Sequence, residues 1–410
     1  MHAEGLWAAG SATTADALEL HDCTTADEDR SLIDRGVGGS RSTTATVSSD
    51  SSDTAMSCAR VSCDLSVALD ASDAVDMTTE PPSFTLSQSG TFVKEDFVIN
   101  RQGIAAVNGN EVAGLGLRLS DLEMLEILGQ GASSLVRKAR HKPSQTDLAV
   151  KIINVFDKCK RDQLLRELRT LYSAAFPWLV TFHDCLYDDG AMYIVLEYME
   201  GGSLADVLHV AQITGSGPLS ELVIGKLAGR VLASLNYLHR ERHQVHRDMK
   251  PGNILLNSRG EIKISDFGLS AELDSTKEMC ATFIGTHAYM SPERLGGKPY
   301  SFASDIWSLG ITLVECALGR YPYTAYTGSN YFVLLSQIIN DPPPQLPPAS
   351  FSPEFRDFVS QCLCKEPELR PSAQQLLAHP FVRMHDDALR PYDMANYVRK
   401  IIEMRRSIST

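Results

Sequence analysis

Lysine is absent from the first 90 residues of this 410-residue chain. That stretch carries fifteen Asp and Glu against four Arg, a net charge of −11 out of −13 for the whole chain, and the rest sits at −2. The acidity therefore belongs to one end. The remainder offers no surplus of the basic charge that a phosphate backbone requires, so no nucleic-acid partner is expected. Cysteine pairing is missing as well: the nine cysteines form no CxxC and no zinc-type spacing. No apolar run approaches the ~20 residues needed to span a bilayer. Nor do the opening residues offer a basic-then-apolar leader, and Met1-His2 presents no glycine for myristoylation. A cytoplasmic protein with free thiols and no membrane span is expected.

What the tail does have is Ser, Thr, Ala and Asp, in runs such as Ser48-Ser49-Asp50-Ser51-Ser52. Neither a 2.0 nor a 3.6 period appears, so residues 1–90 are expected to be disordered, as an inert solubilising tail or as a regulatory arm. Residues 91–120 are a flanking segment in which Thr91-Phe92-Val93 and Phe97-Val98-Ile99 add short strands or pack on a domain surface. From Asp121 onward the pattern is regular. Alternating stretches at 122–128, 135–139, 148–153 and 192–196 predict antiparallel strands. Leu164, Leu165, Leu168 and Leu171 have helical spacing within 163–171, and helices are predicted at 222–238, 303–318, 331–339, 354–364 and 373–377. Pro342-Pro343-Pro344 and Pro347-Pro348 read as a stiff linker between two of them. The fold class is α+β: a small antiparallel sheet lobe with one main helix, then a larger helical lobe.

The chemistry lies in short polar clusters set among apolar runs. Leu128-Gly129-Gln130-Gly131-Ala132-Ser133-Ser134-Leu135-Val136 is a turn between strands whose glycines let backbone N–H groups approach phosphate oxygens. Ser134 stands where a third glycine would complete Gly-x-Gly-x-x-Gly, and by itself the turn is equally a plain hairpin. Ala149-Val150-Lys151-Ile152 places a lysine in an apolar strand, where an ammonium needs an anionic partner or an edge to reach water. Glu167, on the 163–171 helix, is the expected partner. His246-Arg247-Asp248-Met249-Lys250-Pro251-Gly252-Asn253, followed by Asp266-Phe267-Gly268, has the layout that holds a substrate hydroxyl, a nucleotide phosphate and Mg²⁺ together. Asp248 is placed to accept a hydroxyl proton, and Lys250 to stabilise a transferring phosphoryl group. Asn253 and Asp266 supply hard oxygen donors suited to Mg²⁺. His246 is expected to pack behind Phe267, and Arg247 to meet an anion. A polar stretch at 272–282 offers that anion if it is phosphorylated: Thr282 first, Thr276 or Ser275 second, unless these are ordinary loop hydroxyls. Glu293 with Arg370, and Asp305 capping the turn at His246, are expected as structural charges.

Taken together, these motifs resemble the eukaryotic protein kinase family over about residues 121–381, with a small lobe at 121–197, a large lobe at 200–381 and an extension at 382–410. The extension docks an activator or packs as a helix. Thr286 with Lys250 looks like the serine/threonine branch. Phe283-Ile284-Gly285-Thr286, Tyr289-Met290-Ser291-Pro292-Glu293-Arg294 and Met199-Glu200-Gly201-Gly202-Ser203-Leu204 are similar to MAP kinase kinases. The spacing of Thr276 and Thr282, Ser87-Gln88-Ser89-Gly90-Thr91-Phe92 and Asp341-Pro342-Pro343-Pro344 resemble plant and protist members. The resemblance implies ATP and Mg²⁺ as cofactors, with adenine on the backbone of Glu197 and Met199, Leu196 at the back of the pocket, and Ala149 and Leu255 lining it. It implies a MAP kinase as substrate, labelled on Thr and Tyr, and a MAP kinase kinase kinase as activator. Upstream or sterile-20-type kinases share most of these motifs, and Ser134 leaves room for a pseudokinase scaffold. The tail departs from the resemblance because it lacks a basic-then-aliphatic docking motif.

Overall fold

The computed structural model describes residues 85–86, 91–94, 97–106, 116–131, 134–154, 168, 176–266, 287–299, 301–323 and 331–409. The tail before residue 85, most of the stretch 163–171 where a helix carrying Glu167 is predicted, and the 267–286 segment lie outside them.

Four short strands, β1 (Thr85–Leu86), β2 (Phe92–Lys94), β3 (Phe97–Asn100) and β4 (Gly103–Ala106), form an antiparallel sheet in chain order. Regular structure thus begins inside the stretch expected to be disordered. The flanking strands are also more than a surface layer. Ile99 is fully buried, and it shares a core cluster with Ile104, Leu168, Cys185 and Ile194.

The small lobe is a five-stranded antiparallel sheet of β5 (Leu122–Gln130), β6 (Ser134–His141), β7 (Thr146–Asn154), β8 (Phe182–Asp188) and β9 (Ala191–Glu197), ordered β5-β6-β7-β9-β8. The predicted strands are present and run two or three residues longer. β8 escaped prediction because Phe182-His183-Asp184-Cys185 does not alternate apolar with polar. Its Asp184 is buried, and its carboxylate accepts from the backbone N–H of Ile104 (3.1 Å), Leu117 (3.0 Å) and Cys185 (2.8 Å). Buried amide groups need such partners, so one side chain ties the flanking segment to the sheet edge. Burial pushes the Asp184 carboxyl above the ordinary range, against these hydrogen bonds.

The large lobe opens with a two-residue strand, β10 (Gly202–Ser203), then α1 (Leu204–Thr214) and α2 (Glu221–Arg240). Ser203 and Asp206 form a capping box for α1, and Ser220 caps α2. β11 (Ile254–Leu256) and β12 (Ile262–Ile264) extend β10 into a three-stranded ribbon. Next come α3 (Pro292–Leu295) and α4 (Phe302–Leu318), which is apolar on nearly every side and runs through the core with Trp307 fully buried. A helix of that kind is stable only when surrounded, and each such side chain contributes about 1.5–3 kcal/mol on burial. α5 (Tyr331–Asn340), α6 (Pro353–Cys362), α7 (Ala373–Leu377), α8 (Pro380–Arg383) and α9 (Met394–Ser409) complete the described residues. The expected helix at 354–364 stops two residues early, where Leu363 N–H closes on Val359 O. Within the 382–410 extension, Met394–Ser409 packs as a helix, with Val398 and Ile401 buried. Among the described residues, no helix is long and apolar enough to cross a membrane.

Candidate functional site

The sheet register assembles the roof of a cleft. Gly129 pairs with Val136, Val136 with Lys151, and Lys151 with Ile194, while Ala149 lies opposite Leu196. The turn between β5 and β6 is closed by Gly131 N–H on Ser134 O at 2.8 Å. A Cβ on Gly129 would meet nothing within 4 Å, so open space faces the backbone there. Leu128 is exposed at the lip, and Leu135 and Val136 follow it down the strand; Gln130 is also exposed, while the side chains of Ala132 and Ser133 lie outside the described residues. Ser134 starts β6 with its Oγ beside Gly131, so the missing third glycine does not break the hairpin.

The floor comes from the chain after α2. Val180 N–H donates to Ile264 O and Ile264 N–H to Trp178 O, both at 3.0 Å, which fixes β12 beneath the sheet. Two residues later Asp266 turns upward with φ +58°, and Lys151 Nζ meets its carboxylate at 2.6 Å across 115 residues of chain. Burial raises the Asp266 carboxyl, but the charges of Lys151, His246 and Lys250 outweigh it and hold it below the usual carboxylate range. The expected anionic partner of Lys151 was Glu167, which lies outside the described residues; Asp266 occupies that role within them.

Beside this pair, Lys250 Nζ lies 2.9 Å from the Asp248 carboxylate. Asn253 Nδ2 donates to Asp248 O at 2.7 Å and to its Oδ2 at 2.9 Å. That orientation commits the Asn253 amide nitrogen and leaves its carbonyl oxygen as the donor for a cation. With the Asp266 carboxylate it makes a hard-oxygen pair. Among the described residues, no three His, Cys, Asp or Glu side chains form a metal cage. Mg²⁺ fits such a sparse set, because it keeps waters and takes its remaining ligands from phosphates.

The loop carrying these groups is held from behind. Buried Asp305 accepts from the backbone N–H of His246 (2.8 Å) and Arg247 (2.9 Å), and meets His239 Nε2 at 2.8 Å. Arg247 adopts φ +75°, a left-handed conformation sustained only where surroundings dictate it. His246 Nε2 lies 2.9 Å from Ser265 O, joining the Asp248 loop to the residue before Asp266. Phe267, its expected neighbour, lies outside the described residues, as do Ser275, Thr276, Thr282 and Thr286. The cap by Asp305 and the Glu293–Arg370 pair (2.7 Å) are present as expected.

Two contributors escaped sequence reasoning. His239 gave no signal, being separated from Asp305 by 66 residues. Lys263 did: Ile262-Lys263-Ile264 is a lysine in an apolar strand, as at Lys151. Its Nζ meets the Glu197 carboxylate at 2.7 Å, and Glu197 N–H donates to Thr181 O at 2.9 Å. The side chain of Glu197 is thus taken up in joining the lobes. Met199, two residues on, is buried, and Leu255 lies on β11 between Ser203 and Lys263.

A protein kinase domain model matches residues 122–382. The chain is 47% identical over 286 residues to mitogen-activated protein kinase kinase 3 of Arabidopsis thaliana, which covers 69% of this chain and 53% of that protein, about half its length. It is 41% identical over 314 residues to mitogen-activated protein kinase kinase 2 of the same plant, covering 73% and 85%. To dual specificity mitogen-activated protein kinase kinase dSOR1 of Drosophila melanogaster it is 41% identical over 308 residues, covering 69% and 76%. A cleft built from Lys151, Asp248, Asn253 and Asp266, in a chain this similar to these relatives, belongs to a protein kinase of the MAP kinase kinase family.

Proposed function

We propose that this chain transfers the γ-phosphoryl group of ATP to Thr and Tyr in the activation loop of a MAP kinase. In the same reading, a MAP kinase kinase kinase switches it on by phosphorylating Thr282, with Thr276 or Ser275 as further sites. The catalytic domain spans 121–381. The observation that carries the proposal is the 2.6 Å Lys151–Asp266 contact, which brings roof and floor to one point beside Asp248, Lys250 and Asn253.

Adenine lies against the backbone of Glu197 and Met199, between Ala149 above and Leu255 below, with Leu196 behind. The glycine turn at 128–136 covers the phosphates. Lys151, paired through Glu167 when active, orients the α- and β-phosphates. Asp248 holds the incoming hydroxyl in line and accepts its proton. Lys250 stabilises charge on the transferring group, and the two N–H bonds from Asn253 keep Asp248 in place. Asn253 and Asp266 would hold Mg²⁺, whose chemistry there is neutralisation of phosphate charge. Arg247 receives the phosphate on Thr282. Cys185, Cys316, Cys362 and Cys364 are free thiols, which supports a reducing, cytoplasmic setting.

The test is incubation of the phosphorylated protein with Mg²⁺-ATP and a MAP kinase whose own Lys in the cleft has been substituted. Label on both the Thr and the Tyr of its loop is expected. Label on Thr alone, or none, overturns the assignment.

A further inference from the structure

The C-terminal helix α9 lies beyond the matched kinase domain, yet it packs as part of the core: Val398 and Ile401 are buried in the main core cluster. Its route takes it along the outer side of the segment joining the lobes. Arg405 Nη2 donates to Glu200 O at 2.7 Å and Nη1 to Gly201 O at 3.4 Å. The glycines there leave no room for a side chain. A Cβ on Gly201 would lie 2.8 Å from Val398 Cγ1 and 2.6 Å from Leu256 O. Gly202 adopts φ +78°, and a Cβ on it would strike Arg405 Nη1. Two consecutive positions thus favour glycine, at Gly201 because the Leu256 backbone and Val398 of α9 crowd it and at Gly202 because of its left-handed φ.

On its inner side the same segment is ladder-bonded to the cleft floor. Gly201 N–H donates to Leu256 O at 3.0 Å, Gly202 pairs with Leu256, and Ser203 with Leu255. Gly202 N–H closes on Met199 O at 3.0 Å. The backbone from 199 to 202 is therefore held between β11 and α9, and Arg405 is the group that grips its outward carbonyls. A guanidinium fork suits two adjacent carbonyl oxygens, and a charged donor makes a stronger bond than a neutral one.

We infer that Arg405 is a positioning residue for ATP: by fixing the carbonyls of Glu200 and Gly201, α9 sets the backbone of Met199 against which the base lies. This rests on the adenine placement proposed above. Without the grip, the 199–202 segment samples more conformations, and nucleotide binding bears the cost of ordering it. Chemistry at Asp248 is untouched once nucleotide is bound, so KM for ATP separates from kcat.

The experiment measures Mg²⁺-ATP affinity by titration, kcat and KM for ATP, and Tm, in the full chain and in Arg405→Ala, Arg405→Lys and Arg399→Ala. Arg399 sits on the same helix but bonds Ser258 O at 3.4 Å; Ser258 in turn meets the Glu200 carboxylate, so Arg399 holds neither carbonyl that Arg405 grips. Arg405→Ala is expected to weaken ATP binding roughly threefold to tenfold with kcat within about twofold. Arg405→Lys, which keeps the charge but not the fork, should fall between, and it carries the test if the alanine variant does not fold. Arg399→Ala should bind as the parent does. Unchanged ATP affinity in both Arg405 variants, or an equal loss in Arg399→Ala, overturns the inference. Failure of the parent chain to bind ATP at all would instead remove the adenine placement.

Discussion

Lys151–Asp266 in the cleft and Glu293–Arg370 at the base of the large lobe are ion pairs of nearly equal length, 2.6 and 2.7 Å. Their surroundings differ completely. The Arg370 and Glu293 side chains are 0% and 5% exposed, and all five guanidinium N–H directions are used, on both Glu293 oxygens and on the carbonyls of Cys364, Ala303 and Lys365. Nothing in that arrangement can be exchanged without stranding a buried charge. In the cleft, Lys151 and Asp266 are 12% and 30% exposed, and Asp266 sits in a left-handed conformation with Lys250 and His246 also acting on it. One pair is a fixture of the fold. The other is open to replacement, since the phosphates and cation of the proposed reaction would take both partners. Distance alone does not separate a structural pair from a working one; satisfaction and access do.

Breaking the working side should give the largest effect. Asp248→Asn is expected to lower phosphoryl transfer by about 10²–10⁴-fold with Tm nearly unchanged, and Lys151→Met to behave similarly. A steady-state assay retaining a tenth of parental activity would remove either residue from its role. Breaking the structural side should invert that pattern. Arg370→Ala leaves Glu293 buried without its partner and should cost about 3–5 kcal/mol in denaturant unfolding. A loss below about 1 kcal/mol would mean that the lobe base relaxes around it.

Acid titration sharpens the contrast next. Glu293 and Asp305 are raised by burial, but Arg370 and His239 respectively outweigh this and hold both below the ordinary carboxylate range, as happens at Asp266. A carboxyl depressed in the folded state contributes stability above its unfolded value and loses it as pH falls through the folded one. Urea stability should therefore decline below about pH 4, and Glu293→Gln should shrink that decline. A pH-independent midpoint down to pH 2 would contradict it. The smallest effect belongs to a third kind of pair. Arg259, 63% exposed, reaches Glu261 at 2.6 Å and Glu197 at 3.2 Å. Arg259→Ala should change stability by less than about 1 kcal/mol, since solvent screens the pair and Lys263 still holds Glu197.

Much of this contrast was legible in the chain. A lysine in Ala149-Val150-Lys151-Ile152, and an acid, an asparagine and a second acid set among apolar runs, announce a charged cleft because such residues are costly inside without partners. The strands at 122–128 and 148–153 and the helices at 303–318 and 331–339 show their periods plainly. The missed elements share a reason. β8 carries Asp184 inward, against the alternation rule, because its partners are backbone N–H groups from a segment some 70 to 80 positions earlier. α1 went unpredicted because the burial of its one face depends on surfaces supplied from elsewhere in the chain, whereas for 382–410 a packed helix was one of two readings and Met394–Ser409 is helical.

Residue types and local spacing were enough to indicate the two-lobed α+β fold and to mark Lys151, Asp248, Asn253 and Asp266 as polar groups set among apolar runs, since these follow from period and from the cost of unpaired charge. Which charge meets which was decided only in three dimensions. Asp266 standing opposite Lys151, His239 backing Asp305, Lys263 tethering Glu197 and Arg405 gripping the carbonyls of Glu200 and Gly201 all join groups far apart in sequence. Such pairings carry no periodic signature, because a contact across a hundred residues is set by how whole elements pack and not by any neighbour along the chain.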